Sequence, residues 1–364
     1  MKLNPLLNQV GGHEGVLSMG EENEIIVKPA LPRELQFYEE AVLHPELQAW
    51  MPAYYGSLTL TRQLPVPVDA DSSVAGDSGN IGPIIKALNG FAVKDMMPES
   101  TEETATTSET ADAASGVDDE CLCLENVSHG FSKPCVLDLK LGTQLYDDDA
   151  PEEKKARLAA VAANTTSAKL GIRPTGFHVY DHETGEFTKY SKAYGKALKE
   201  ETILDGFRAY FAAKIGPKRM RLVIERLVND LVDFLEVIKV QEVRMRSSSL
   251  LMMYEGDPEA FDEGLLIEQE KIAAVVSRAK AHLEGSEEEQ NTRTGEDEDE
   301  DEDEDEFDDE DDEISQKVTD MRLIDFAHST WTPEQGPDEG VILGVQSALS
   351  LFEKLLQVDY PEDS

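Results

Sequence analysis

Apolar and polar positions alternate with two different periods along this chain, and the switches between them outline its elements. Short β-branched or alternating runs predict strands at Val16 to Met19, Glu24 to Lys28, 53–60, about 89–94 and 120–127. A further strand is expected at 134–142, followed by strands at 172–181, near 186–190, at 249–254 and at 321–326. Helical spacing predicts a helix from Pro32 to Leu43, with proline at its favoured first position, and one from about Pro151 to Ala163. Longer helices are expected at 198–214, 217–239, about 260–284 and 340–357. In 217–239, Leu222, Val223, Leu227, Leu231, Phe234, Leu235 and Ile238 fall on one face, which reads as core. The fold expected is α+β with two lobes: residues 1–127 as a small strand-rich lobe, residues 128–364 as a larger mixed lobe, and a cleft between them.

Composition refines this outline. At 364 residues and 40% hydrophobic content the chain can bury sizeable cores. The net charge is −42. Residues 296–313 carry 17 acids in 18 positions, interrupted only by Phe307, and without them −25 remains. Such a run repels itself and cannot bury apolar area, so about 285–314 is expected to be a disordered insertion. The Ser-, Thr- and acid-rich stretch 97–118 and the Pro- and Ser-containing stretch 64–83 are expected as loops. So acidic a chain is a poor direct ligand for nucleic acid. The N-terminus lacks signal-peptide regions, and no stretch approaches the roughly 20 apolar residues of a membrane span. Cys121, Cys123 and Cys135 read as reduced thiols packed as small hydrophobes.

The chemistry concentrates in five segments. The most informative is Pro134-Cys-Val-Leu-Asp-Leu-Lys-Leu-Gly142. On a strand, Asp138 and Lys140 share one face, while Leu137, Leu139 and Leu141 point into a core. An acid and a base side by side can hold a ribose and a phosphate. Upstream, the run Ile25-Ile26-Val27-Lys28 ends in a lysine that can meet nucleotide phosphates if a carboxylate holds it. Val10-Gly11-Gly12-His13 could form a turn over phosphates, but no G-x-x-x-x-G-K-[ST] P-loop occurs. The segment Cys121 to Val127 reads either as an interior strand or as a lobe linker whose backbone meets adenine. After the main segment, Lys154 and Arg157 are three apart on a helix and share a face. Finally, Met321 to His328 is an apolar strand delivering Asp325 ahead of Phe326, like the Asp-Phe-Gly of protein kinases.

Together these segments identify the chain as resembling the inositol polyphosphate kinases, whose P-x-x-x-D-x-K-x-G pattern residues 134–142 match in full. Within the family it most resembles the fungal multikinases. The resemblance covers most of 10–60 and 120–357. It implies that Glu34, in an E-L-x-F-Y segment, pairs with Lys28. It implies that Glu125 and Val127, in L-E-N-V, offer backbone contacts to adenine. It also implies that Asp138 meets the ribose hydroxyls and that Lys140 lies near the transferred phosphoryl group. The I-D-F-A-H match implies Asp325 as the Mg²⁺ ligand and His328 at the accepting hydroxyl. Ser249, in S-S-L-L, is implied beside the metal. Lys154 matches the family's substrate-gripping lysine, with Arg157, Lys169 and Arg173 as further candidates. Glutamines present here in some relatives are replaced, which bears on substrate preference. The D-E-G-x-x-x-G run from Asp338 to Gly344 is expected to pack and to begin the last helix.

The activity so implied is ATP- and Mg²⁺-dependent phosphorylation of inositol trisphosphate and tetrakisphosphate. A hexakisphosphate kinase is the alternative within the family. An acidic scaffold in a transcription or chromatin complex is the alternative of another class. Expected partners of the acidic run are basic nuclear or transcription-factor proteins. The expected location is nucleus and cytoplasm, and the expected state is a monomer.

Overall fold

The computed structural model describes residues 4–5, 16–20, 22–62, 117–292 and 316–361. The turn at 10–13, the loops within 64–116 with the strand expected near 89–94, and residues 293–314 of the acidic insertion lie outside them.

The small lobe is an antiparallel sheet in the order β1-β2-β3-β5-β4. Its strands are β1 (Asn4–Pro5), β2 (Leu17–Met19), β3 (Ile25–Pro29), β4 (Tyr54–Arg62) and β5 (Val117–Glu125). Helix α1 (Pro32–Glu40) follows β3 and buries Glu34, Phe37 and Tyr38. The α-helix expected to reach Leu43 changes at Ala41 to a tighter 3-10 turn, Ala41–Leu43. Pro45 opens α2 (Pro45–Gln48), and the residue before a proline is driven out of helical conformation.

The large lobe is built on the antiparallel sheet β11-β10-β6-β7-β8. Its strands are β6 (Pro134–Leu141), β7 (Ile172–Asp181), β8 (Glu186–Tyr190), β10 (Ser249–Glu255) and β11 (Thr319–Ile324). A two-stranded ribbon pairs β9 (Val243–Met245) with β12 (Ser329–Trp331). The helices are α3 (Glu152–Asn164), α4 (Ser167–Leu170), α5 (Lys192–Ala197), α6 (Ile203–Tyr210), α7 (Pro217–Ile238), α8 (Pro258–Thr292) and α9 (Glu339–Val358). The architecture is thus α+β and two-lobed.

Helix α7 buries Val223, Leu227, Leu231, Phe234, Leu235 and Ile238 as its spacing predicts, and Leu222 flanks that stripe half-buried. Leu137, Leu139 and Leu141 of β6 are likewise fully buried. Three expectations need correction. The helix expected at 198–214 is shorter, α6 spanning only Ile203–Tyr210. Between α5 and α6, the Thr202 hydroxyl accepts the Lys199 N–H at 3.0 Å and draws the chain out of helical hydrogen bonding. The acidic insertion begins later than expected, because α8 continues through its Glu-rich flank to Thr292, and glutamate favours helix. Lastly, α9 is long and apolar enough to cross a membrane by length and composition, contrary to the expectation of no such stretch. Here its Val341, Val345, Ala348, Phe352 and Leu355 are buried in the core.

The lobes are joined by stacked rings and backbone bonds. Phe37 of α1 lies between Phe326 and Trp331, each at 4.7 Å between centroids. The Leu323 N–H of β11 donates to the Trp50 carbonyl at 2.7 Å.

Candidate active site

The site forms where β3, α1, β6 and the end of β11 meet. Lys28 projects from β3, and its Nζ donates to Glu34 Oε1 at 2.9 Å and to Asp325 Oδ1 at 3.0 Å. Burial works against the charge of this ammonium, but the Asp325 and Glu34 carboxylates outweigh it and raise its pKa. Glu34 also accepts the Phe326 N–H at 3.3 Å, so one carboxylate fixes both the lysine and the turn after Asp325. Asp325 has φ 67°, a left-handed conformation uncommon away from glycine. Held backbone of this kind concentrates at functional sites. The sequence-predicted trio Lys28, Glu34 and Asp325 therefore comes together through contacts spanning almost 300 residues.

On β6, Asp138 and Lys140 do share a face, and the neighbouring strands extend it. Ser249 of β10 and Arg173 of β7 stand opposite Lys140, and Gly176 stands opposite Asp138. A bulge in β7 between these pairs inserts Thr175, whose hydroxyl donates to the Asp138 carbonyl at 3.2 Å. Bulges commonly re-aim side chains beside active sites. Asp138 is 4% exposed, and burial followed by the Asp325 charge pushes its carboxyl up. Lys140 and the hydroxyls of Thr175 and Ser249 act in the opposite sense. Burial lowers the Lys140 ammonium, with Asp325 and Asp138 opposing and Arg173 and Lys192 adding to the fall. The Lys140 Nζ donates to the Ser247 carbonyl at 2.7 Å. Arg173, 3% exposed, keeps Nε and one terminal nitrogen buried without a hydrogen-bond partner. Asp138 Oδ1 and Ser249 Oγ are likewise buried without a well-aligned partner, although the Ser249 hydroxyl lies near enough to the Asp138 carboxylate to draw its pKa down.

These buried groups test the fit of the expected ligands. Hard oxygen donors at Asp325, Asp138 and Ser249 suit a small divalent cation whose remaining ligands are phosphates and water. Buried cationic donors at Lys140 and Arg173 suit an anion beside it.

The remaining candidates are placed as follows. At the junction of the lobes, the Glu125 side chain accepts the Ala53 N–H at 3.2 Å and lies 3.5 Å from the Lys317 ammonium. Lys317 also donates to the Val127 carbonyl at 3.4 Å. Of this segment, Cys121 to Glu125 are the end of β5, an interior strand paired with β3 and β4. On α3, Lys154 is half-buried and Arg157 exposed, and neither forms an ion pair among the described residues. Lys169 does not join the site: it sits on the surface paired with Glu200 at 2.9 Å. His328 has Nδ1 2.6 Å from Asp147 Oδ2.

Sequence reasoning missed several neighbours. Arg33, beside Glu34, pairs with Asp147 at 3.3 Å and Asp149 at 3.0 Å. Arg246 pairs with Asp338 at 3.1 Å, and Lys192 adds positive charge near Lys140. The one available signal was the acidic triplet Asp147-Asp148-Asp149 directly after the β6 segment, in a position where an anion-binding site would not be expected to carry free acids.

Comparison with known proteins agrees with this arrangement. The family model described as inositol polyphosphate kinase matches residues 121–353. The inositol polyphosphate multikinase of Saccharomyces cerevisiae is 30% identical over 398 residues, covering 96% of this chain and 97% of that protein. Human inositol hexakisphosphate kinase 1 is 28% identical over 430 residues, covering 97% and 93%. Among solved structures, the S. cerevisiae inositol phosphate multikinase in complex with ADP and Mn²⁺ aligns with a TM-score of 0.58 at 27% identity, over 92% of this chain and 99% of that one. With a model matching most of its length and a relative of this identity spanning nearly all of it, the chain belongs to the inositol polyphosphate kinase family.

Proposed function

We propose that the protein is an ATP- and Mg²⁺-dependent multikinase that phosphorylates inositol trisphosphate and tetrakisphosphate. The observation that carries this reading is the meeting of two charge arrangements at one place. The Lys28–Glu34–Asp325 trio provides for a nucleotide phosphate and its metal, and the buried Lys140 and Arg173 beside it provide for a second anion. Phosphoryl transfer depends mostly on alignment and charge neutralisation, and these residues supply both. Lys28 would hold the nucleotide phosphates, with Glu34 keeping its ammonium in place. Asp325, with Asp138 and Ser249 close by, would hold Mg²⁺, which neutralises the transferring phosphate. The backbone at Glu125 and Val127 would meet adenine, and Asp138 would meet the ribose hydroxyls. Lys140, Arg173, Lys154 and Arg157 would grip the anionic ring, and His328 would meet the accepting hydroxyl. Against a net charge of −42, this local basic surface is what draws so anionic a substrate in. The 30% identity to a multikinase, against 28% to hexakisphosphate kinase 1, and the likeness to a solved multikinase favour this substrate class over the hexakisphosphate.

The test is transfer of radiolabelled γ-phosphate from Mg·ATP to a panel of inositol phosphates, with Asp325→Asn and Lys140→Met as controls. Label should move onto the trisphosphate and tetrakisphosphate and be lost in both variants. Label on the hexakisphosphate alone would replace the multikinase reading with its sister activity. No transfer at all would favour a scaffold whose acidic run engages basic nuclear proteins. A location in nucleus and cytoplasm, and a monomeric state, complete the proposal.

A further inference from the structure

The loop after β6 reaches back to the end of the I-D-F-A-H segment in a way the proposed chemistry does not yet use. Asp147 Oδ2 lies 2.6 Å from His328 Nδ1. That nitrogen is buried and makes no aligned hydrogen bond, and at this distance the carboxylate repels an imidazole lone pair and attracts an N–H. The other oxygen, Oδ1, pairs with Arg33 at 3.3 Å, and Arg33 also holds Asp149 at 3.0 Å. Asp147 is 12% exposed and is therefore fixed from both sides. The backbone of His328 is fixed as well. Its carbonyl accepts the Arg246 N–H at 3.1 Å, and the Ser329 N–H returns to the Phe326 carbonyl at 2.9 Å.

The geometry points to Asp147 as a positioning residue that holds His328 in the Nδ1–H tautomer. Nε2 is then left as a lone-pair acceptor for the hydroxyl to be phosphorylated. A carboxylate that fixes one imidazole nitrogen decides the function of the other. In the opposite tautomer the ring would present an N–H to the hydroxyl and leave Nδ1 buried against a negative charge. Accepting the hydroxyl's hydrogen bond turns an oxygen lone pair toward the phosphorus, which is the alignment a loose transfer requires. This role rests on the proposed kinase reading. The tautomer itself does not.

The experiment records two-bond ¹H–¹⁵N correlations on protein labelled at its seven histidines, with His328→Gln used to assign the signal. It is paired with steady-state kinetics of phosphate transfer. The wild-type His328 should show the Nδ1–H pattern. Asp147→Ala should shift it toward Nε2–H and lower kcat by roughly ten- to a hundredfold, with KM for inositol trisphosphate little changed. Asp147→Glu should restore part of both. An unchanged His328 signal in Asp147→Ala, or Nε2–H in the wild type, would overturn the proposal. So would Arg33→Ala reproducing the kcat loss with the tautomer intact, since Asp147 would then act as a latch between lobes. The spectrum needs no substrate. A protein inactive on inositol phosphates that still held the Nδ1–H form would sink the kinase reading and leave the pairing standing.

Discussion

At the scale of single residues, the molecule concentrates its ionised groups where burial makes them consequential. Glu34 is 2% exposed, and its ion pair with Lys28 is nearly dry. Removing one member of a buried pair leaves the other uncompensated, at a cost of about 3–5 kcal/mol. Lys28→Met should therefore lower both stability and activity, because Glu34 and Asp325 then face each other without a cation. Asp325→Asn keeps a polar side chain tolerant of left-handed backbone, so it should lose phosphate transfer by more than a hundredfold with a much smaller drop in melting temperature. Calorimetry beside the transfer assay separates the two cases. Away from the site, Asp230 on α7 is pushed up to about 6, first by burial and then by Asp320 and Asp233. It holds a proton in the folded chain that the unfolded chain releases near its ordinary value. Its contribution is therefore favourable below pH ~4, is lost as pH rises toward 6, and stays lost above. Asp230→Asn should widen its stability advantage over the wild type across that window, by on the order of 1 kcal/mol, in denaturant titrations at pH 4, 5 and 7. Asp138, Lys140 and Asp325 were legible in the sequence because each sits in a contiguous apolar run that fixes its direction. Asp147 and Arg33 were not, because their partners lie 114 or more residues away and no local period connects them.

Among the elements, close approach of backbones decides what a sequence tolerates. Asp338 caps α9 by accepting the Gly340 and Val341 N–H groups, the helix start its D-E-G run predicts. Gly344, one turn on, lies against the turn at Gly171, where a Cβ would come within 2.4 Å of the Gly171 carbonyl oxygen. Gly171 in turn accepts the Gly142 N–H at 2.8 Å, so this contact touches the end of β6 itself. Gly344→Ala should destabilise the fold by about 1–3 kcal/mol and shift Lys140 with it. A lowered melting temperature together with a raised KM for the inositol phosphate would report both effects. The longer strands and helix α7 were readable from period alone. The late start of α6 was not, since the segment around Leu198 to Thr202 keeps a helical pattern while a single hydroxyl redirects its backbone. The β7 bulge left a trace in Pro174, which cannot donate to a ladder, and in Gly176, but which residue is extra shows only against the partner strand.

For the molecule as a whole, an acidic exterior surrounds a buried site in which Lys28 and Arg173 stand among Glu34 and Asp138. The run 296–313 accounts for 17 of the excess negative charges, yet Lys317, beyond it, is what tethers β11 to the lobe junction at Glu125 and Val127. Deleting 296–313 should leave kcat and the KM for ATP within about twofold while abolishing any salt-sensitive association with basic polypeptides. Parallel kinetics and pull-downs across a salt series measure both. Two lobes were evident in the chain from the order of its strands and helices, whereas their clasp, Phe37 between Phe326 and Trp331, needed three dimensions to be seen. The lysine that bridges Glu34 and Asp325 has one more consequence. The Lys28 ammonium sits at the carboxylate that the proposed mechanism gives to the metal, so a bare divalent ion must displace a cation to enter. A nucleotide carries its own metal and at the same time offers the displaced ammonium new phosphate oxygens. Loading should then be ordered: Mg²⁺ alone leaves the thermal transition where it was, and Mg·ADP raises it.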